Sequence, residues 1–84
     1  MIVNKFIELC KKQIVEYYAL NNVDIDKDNV VVVWQCKTLQ NIKATLIALH
    51  NDNLYFECTY NGDKKELYID VYDKIDKIVL REVF

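Results

Sequence analysis

Apolar residues near the start of the chain recur at spacings of three and four. Val3, Phe6, Ile7, Cys10, Ile14, Tyr17 and Tyr18 form one stripe, and Lys5, Glu8, Lys11, Lys12 and Glu16 fill the remaining positions. That period predicts an amphipathic helix over residues 2–20. Asn21 and Asn22 are its expected stop, because asparagine tolerates the left-handed conformation that closes many helices. Beyond a polar connector over residues 23–29 the pattern changes. Val30, Val31, Val32 and Val33, followed by Trp34, Gln35 and Cys36, predict a strand, since β-branched and aromatic side chains suit a pleated surface. Further strands are predicted over residues 42–49, 54–60 and 67–71. Asn61-Gly62, between the last two, is the expected hairpin turn, because a type I′ turn needs positive φ at both central positions.

A two-residue loop at Asn61-Gly62 sets Phe56 opposite Leu67 and Leu54 opposite Ile69. Leu54, Phe56, Cys58, Leu67, Ile69 and Val71 then share one face. Tyr55, Glu57, Thr59, Lys64, Glu66, Tyr68 and Asp70 share the other. Equally tight turns at Asn51-Asp52 and Leu39-Gln40 add Ile47, Leu49, Val32 and Trp34 to the first face. They add Ala44, Leu46, Ala48, Val31 and Val33 to the second. In the tail, Tyr72, Ile75, Ile78 and Val79 fit a helical stripe, whereas Ile78, Leu80 and Phe84 fit a strand; a short C-terminal helix over residues 73–83 is the expectation. The predicted fold is α+β: an N-terminal helix packed on a four-stranded antiparallel meander sheet, then a short C-terminal helix, as one domain over residues 1–84. One long helix hides one sheet face. The C-terminal helix, a second subunit or a ligand is expected on the other.

Composition narrows the class of function. With 52% apolar and 12% aromatic residues the chain has enough material for a core, and with no proline and one glycine it has no glycine-lined phosphate loop. Eleven basic and thirteen acidic residues give a net charge of −2. That balance lacks the basic field of nonspecific nucleic-acid binding. Lys5 and Glu8 fall too early for a secretory apolar segment, and no apolar run approaches about 18 residues. Three cysteines, Cys10, Cys36 and Cys58, are expected as buried thiols in a reducing, cytoplasmic compartment, with no membrane association.

No arrangement of residues predicts catalysis. Serine is absent, and the one histidine, His50, lies in a turn away from the cysteines, which are expected to point inward. Asp24-Ile25-Asp26-Lys27-Asp28 resembles the start of a calcium loop, but Asn29 and Gln35 stand where that loop needs glycine and glutamate. No ligand pair has zinc spacing, and no cofactor is expected. Two surfaces remain as candidate binding sites. Trp34, Lys37, Thr38, Gln40, Asn41 and Lys43 surround the first turn, where lysines and amides suit an anion and an aromatic suits a base. The plainer reading is a polar turn over a core tryptophan. Tyr55, Glu57, Glu66 and Tyr68 lie on the second face. The tight register sets Glu57 against Glu66, an unfavourable pair. A longer loop, compensation by Lys64 and Lys65, or a basic partner or cation would each resolve it.

Trp34-Gln35-Cys36-Lys37-Thr38-Leu39-Gln40-Asn41-Ile42-Lys43-Ala44, with Thr59-Tyr60-Asn61-Gly62-Asp63-Lys64 and the helix segment from Phe6 to Lys12, resembles a family of small uncharacterised proteins from phages and prophages of Gram-positive bacteria. The resemblance spans most of the chain and brings no activity with it. It implies a phage accessory protein acting in the host cytoplasm. By analogy with other small phage proteins, it would antagonise a host defence system by stoichiometric binding, blocking a host defence protein or sequestering an anionic nucleotide signal, as a homodimer. The alternative is a nucleic-acid-binding regulator using Lys5, Lys11 and Lys12. A third reading is an enzyme using Cys36 or the Glu57 and Glu66 pair.

Overall fold

The computed structural model describes residues 2–82. An α-helix, α1 (Val3–Leu20), is followed by a 3-10 turn (Lys27–Asn29) and four strands, β1 (Val30–Thr38), β2 (Asn41–Ala48), β3 (Leu54–Asn61) and β4 (Glu66–Asp73). The strands form one antiparallel sheet in chain order. The helix plus four-stranded meander is therefore as predicted.

One column of α1 enters the core. Phe6, Cys10, Ile14 and Tyr18 are spaced by four and are buried. They meet Val30, Ile42, Ala44, Leu46, Ala48, Phe56, Cys58 and Tyr60 on the facing side of the sheet. Asn22, at φ 64°, takes the left-handed closing position. Its N–H donates to Ala19 O at 3.0 Å and that of Val23 to Tyr18 O at 2.9 Å, so two terminal carbonyls are satisfied. The Tyr18 hydroxyl donates to Asp52 Oδ2 at 2.8 Å, pinning the end of the helix to the loop between β2 and β3.

The registers differ from expectation at three places, each because a turn or strand is longer than the minimal case. The loop between β2 and β3 takes residues 49–53, an odd number, instead of two. Side chains alternate with period two, so this inverts the faces of β2. Ala44, Leu46 and Ala48 are buried under α1, and Leu49 is exposed. The turn between β1 and β2 is the expected Leu39-Gln40 pair, with Thr38 opposite Asn41. The inversion therefore carries into β1, and Trp34 and Cys36 are exposed on the open face, contrary to expectation. A bulge between Val32 and Trp34 then restores the parity of the first three residues. Val30 and Val32 face α1 as a result.

The hairpin between β3 and β4 closes through residues 62–65, with Asn61 opposite Glu66. The longer loop shifts the register by an even number, so the face assignments of β3 and β4 survive. Glu57 now stands opposite Asp70, not Glu66. Gly62 has no positive φ. Its glycine is required by proximity, because a Cβ there would press into the Gln40 carbonyl oxygen and come 2.7 Å from Gln40 Cβ. The two hairpin turns are thus packed together.

Among the described residues no C-terminal helix forms. Residues 74–80 are neither helix nor strand, and the Lys74 N–H donates to Asn53 O at 2.8 Å, extending the ladder beyond β4. Ile75, Ile78 and Val79 are β-branched and poor helix formers, and the sheet pairing of Asp73 with Leu54 occupies the residue best suited to cap a helix. Val83 and Phe84, included in the tail patterns, lie outside the described residues. Among the described residues no helix is long and apolar enough to cross a membrane.

Candidate functional site

Strand alternation with the observed registers sorts the polar and aromatic residues onto the sheet face opposite α1. Reading across the four strands, Trp34, Thr45, Glu57 and Asp70 form one row and Cys36, Lys43, Thr59 and Tyr68 form the next; beyond them Thr38 pairs with Asn41, and Asn61 with Glu66. Tyr55 and Tyr72 pair at the far end of the face, their rings stacked at 5.0 Å and 14°. Among the described residues no layer covers this open face. Trp34 is 52% exposed, although a tryptophan contributes a large apolar surface.

Eight of the ten candidate residues meet on this face: Trp34, Thr38, Asn41, Lys43, Tyr55, Glu57, Glu66 and Tyr68. Trp34, Thr38, Asn41 and Lys43 line a shallow hollow of about 340 Å³ together with Thr59 and Asn61. The other two part from them. Lys37 stands opposite Ile42, a residue of the helix side, and it lines a separate hollow with Gln40, Gly62 and Lys65. The first turn is therefore not one ligand-binding unit.

The electrostatics of the face follow from short contacts. Lys43 Nζ lies 2.7 Å from Glu57 Oε1. This hydrogen bond, and then the charge of Glu57, holds the Lys43 ammonium above the ordinary lysine range. The longer loop exchanges Glu66 for Asp70 opposite Glu57, so a carboxylate pair persists, and Lys43 from the neighbouring strand offsets it. Lys64 and Lys65 lie in the hairpin loop. The Tyr68 hydroxyl donates to Glu66 Oε2 at 2.6 Å, which keeps that phenol protonated above its usual range. Three carboxylates, Glu57, Glu66 and Asp70, face one ammonium, that of Lys43.

Cys36, Thr45, Thr59, Asn61, Asp70 and Tyr72 complete the face and were not among the candidate binding residues from the sequence. The inward placement expected for Cys36 hid it. The alternation of β4 would have revealed Tyr72 had the strand been carried one residue further. His50 lies beyond β2, at the end of the sheet away from Cys36, and its ring packs edge-on against Tyr18 at 5.6 Å. Asp26 accepts from Asp28 N at 3.0 Å and so caps the 3-10 turn. Among the described residues no group of three or more histidine, cysteine or acidic side chains is placed to hold a metal ion.

Comparison with known proteins gives one match. No curated protein and no solved structure matches the chain. A family model described as a family of unknown function, DUF6275, matches residues 7–82, which takes in most of the helix, all four strands and the tail as far as Glu82, and the chain belongs to that family.

Proposed function

We propose that this chain is a non-catalytic binding protein whose open sheet face is its recognition surface. The observation that carries the reading is the exposure of Trp34 in a face shared with Tyr55, Tyr68 and Tyr72. Tryptophan and tyrosine dominate the energetic centres of protein interfaces, and an uncovered sheet face rich in them is poorly suited to water. The surrounding threonines, asparagines and paired charges supply a polar rim. The partner that fits best is a protein presenting apolar and basic side chains, because the carboxylates outnumber the single ammonium and Lys43 is already engaged by Glu57. The same charge balance disfavours an anionic nucleotide or a nucleic acid in the hollow beside Trp34.

In the phage context that the sequence resemblance implies, such a protein antagonises a host defence component by stoichiometric occlusion in the cytoplasm. Binding without turnover is in keeping with the distance between His50 and Cys36 and with the burial of the other two thiols.

Affinity capture from host lysate, compared across variants, tests the proposal. Trp34→Ala and Tyr68→Ala should each lose the captured protein while the melting temperature is held. Lys37→Ala should retain it. Equal capture by all of them refutes the open face as the recognition surface. Since Trp34 is the sole tryptophan, its emission should shift to the blue on complex formation.

A further inference from the structure

A second unpartnered surface lies at the edge of the sheet, apart from the open face. β1 and β4 are the edge strands. β1 carries the bulge at Val33, a common protection against edge-to-edge pairing. β4 pairs with β3 in unbroken register from Glu66 to Asp73 and contains no lysine or proline. Alongside it, α1 leaves a groove of about 260 Å³ lined by Ile14, Tyr17, Leu20, Phe56, Ile69 and Val71.

The chain carries a segment that matches this edge. Residues 74–80 contain Ile75 and Ile78, which are 93% and 91% exposed, with Val79 and Leu80 also exposed. No turn or bend occurs between Lys74 and Leu80, and the Lys74 hydrogen bond continues the β4 register. The tail therefore continues from β4, and none of its residues lines the groove. The radius of gyration, 14.5 Å, exceeds the roughly 12 Å of a compact chain this long. Seven extended residues span about 23 Å, nearly the length of an eight-residue strand.

Charge selects the occupant. β4 bears Glu66, Asp70 and Asp73 with no basic residue, so direct pairing of β4 with a second β4 is repelled. The segment over residues 74–81 bears Lys74, Lys77 and Arg81 against one acid, Asp76.

We infer that the tail of one copy lies antiparallel along the free edge of β4 in a second copy, reciprocally about a two-fold axis. The arrangement sets each basic tail beside an acidic strand. It supplies main-chain partners to the open edge, as in strand addition. If the tail keeps the alternation of β4, Ile75 and Val79 fall on the helix side, towards the partner's groove.

Sedimentation velocity on the full chain tests this. The wild type should sediment as a dimer at micromolar concentration. The variant Ile75→Ser, Ile78→Ser, Leu80→Ser should sediment as a monomer with an unchanged near-ultraviolet circular dichroism spectrum, since these side chains are exposed. The charge-reversed variant Lys74→Glu, Lys77→Glu should weaken the dimer at least about tenfold. A monomeric wild type overturns the inference. So does a serine variant that stays dimeric. Trp34 and Glu57 are intact in both variants, so either result is independent of recognition through the open face.

Discussion

Replacing Gly62 by alanine tests the packing of the two hairpin turns. Gly62 occupies a backbone conformation open to any residue, and its N–H donates to Asn41 Oδ1 at 3.3 Å. The added methyl would meet the Gln40 carbonyl oxygen and approach Gln40 Cβ to 2.7 Å. Backbone on both sides must move to admit it. Overpacking of this kind costs about 1–3 kcal/mol. Loss of chain entropy in the unfolded state returns about 0.4–1 kcal/mol. The net expectation is destabilisation by roughly 1–2 kcal/mol, or a fall in Tm of roughly 5–15 °C for a domain of this size. Urea and thermal unfolding followed by circular dichroism measure it. Hydrogen exchange should quicken at Gln40 and Asn41, across the contact, as well as at residue 62. A neutral or stabilising Gly62→Ala, or damage confined to its own hairpin, would refute the close approach.

Three further outcomes follow from named contacts. Tyr18→Phe should cost about 1 kcal/mol through loss of the hydrogen bond to Asp52. Burial, then that bond, raises the Tyr18 phenol above its ordinary value of 10.0; its contribution is thus complete below pH 10 and declines as pH rises further, and the stability difference between wild type and Tyr18→Phe should shrink in alkali, which urea titrations across that range would reveal. Leu39, 89% exposed at φ 54°, should be replaced by glycine with a gain of about 0.5–1 kcal/mol, because relief of left-handed strain exceeds the entropy cost of glycine; a loss in chemical denaturation would contradict this turn geometry. A thiol reagent should modify Cys36 rapidly and Cys10 and Cys58 only on unfolding, since the latter two are buried and a hydrogen bond with Cys58, with burial, pushes the Cys10 thiol up; mass spectrometry of partly labelled protein identifies the reacting site.

The helix, the strand order and the candidate aromatic and acidic residues were legible because they depend on local period. Phe6, Cys10 and Ile14 mark the helix column, and the even spacing of Tyr55, Glu57, Tyr68 and Asp70 marks one sheet face whatever the loop length, provided it changes by an even number. What was illegible depended on parity. Residues 49–53 form a loop one residue longer than an even-numbered connection would be, and that single residue moves Leu46 inward and Trp34 outward. The bulge at Val33 is equally silent, because four consecutive valines look alike on either face. Asn61-Gly62 was a true hairpin signal with a different cause: the glycine yields to a neighbouring turn, which no pattern within its own hairpin records. The tail had an apolar period but nothing on its own molecule to pack against.

The bulge also divides β1 into two halves that answer to different constraints. The amino-terminal half is held by the core through Val30, whereas the carboxy-terminal half presents Trp34, Cys36 and Thr38 outward. Loss of one residue at the bulge would join the halves into a regular strand and force one of them to turn over. Loss or gain of two residues further along would leave every surviving side chain on its original side. Length variation among relatives of this protein should therefore be tolerated unevenly along the strand, with the single extra valine acting as the frame marker that keeps an outward-facing surface and an inward-facing anchor on the same stretch of backbone.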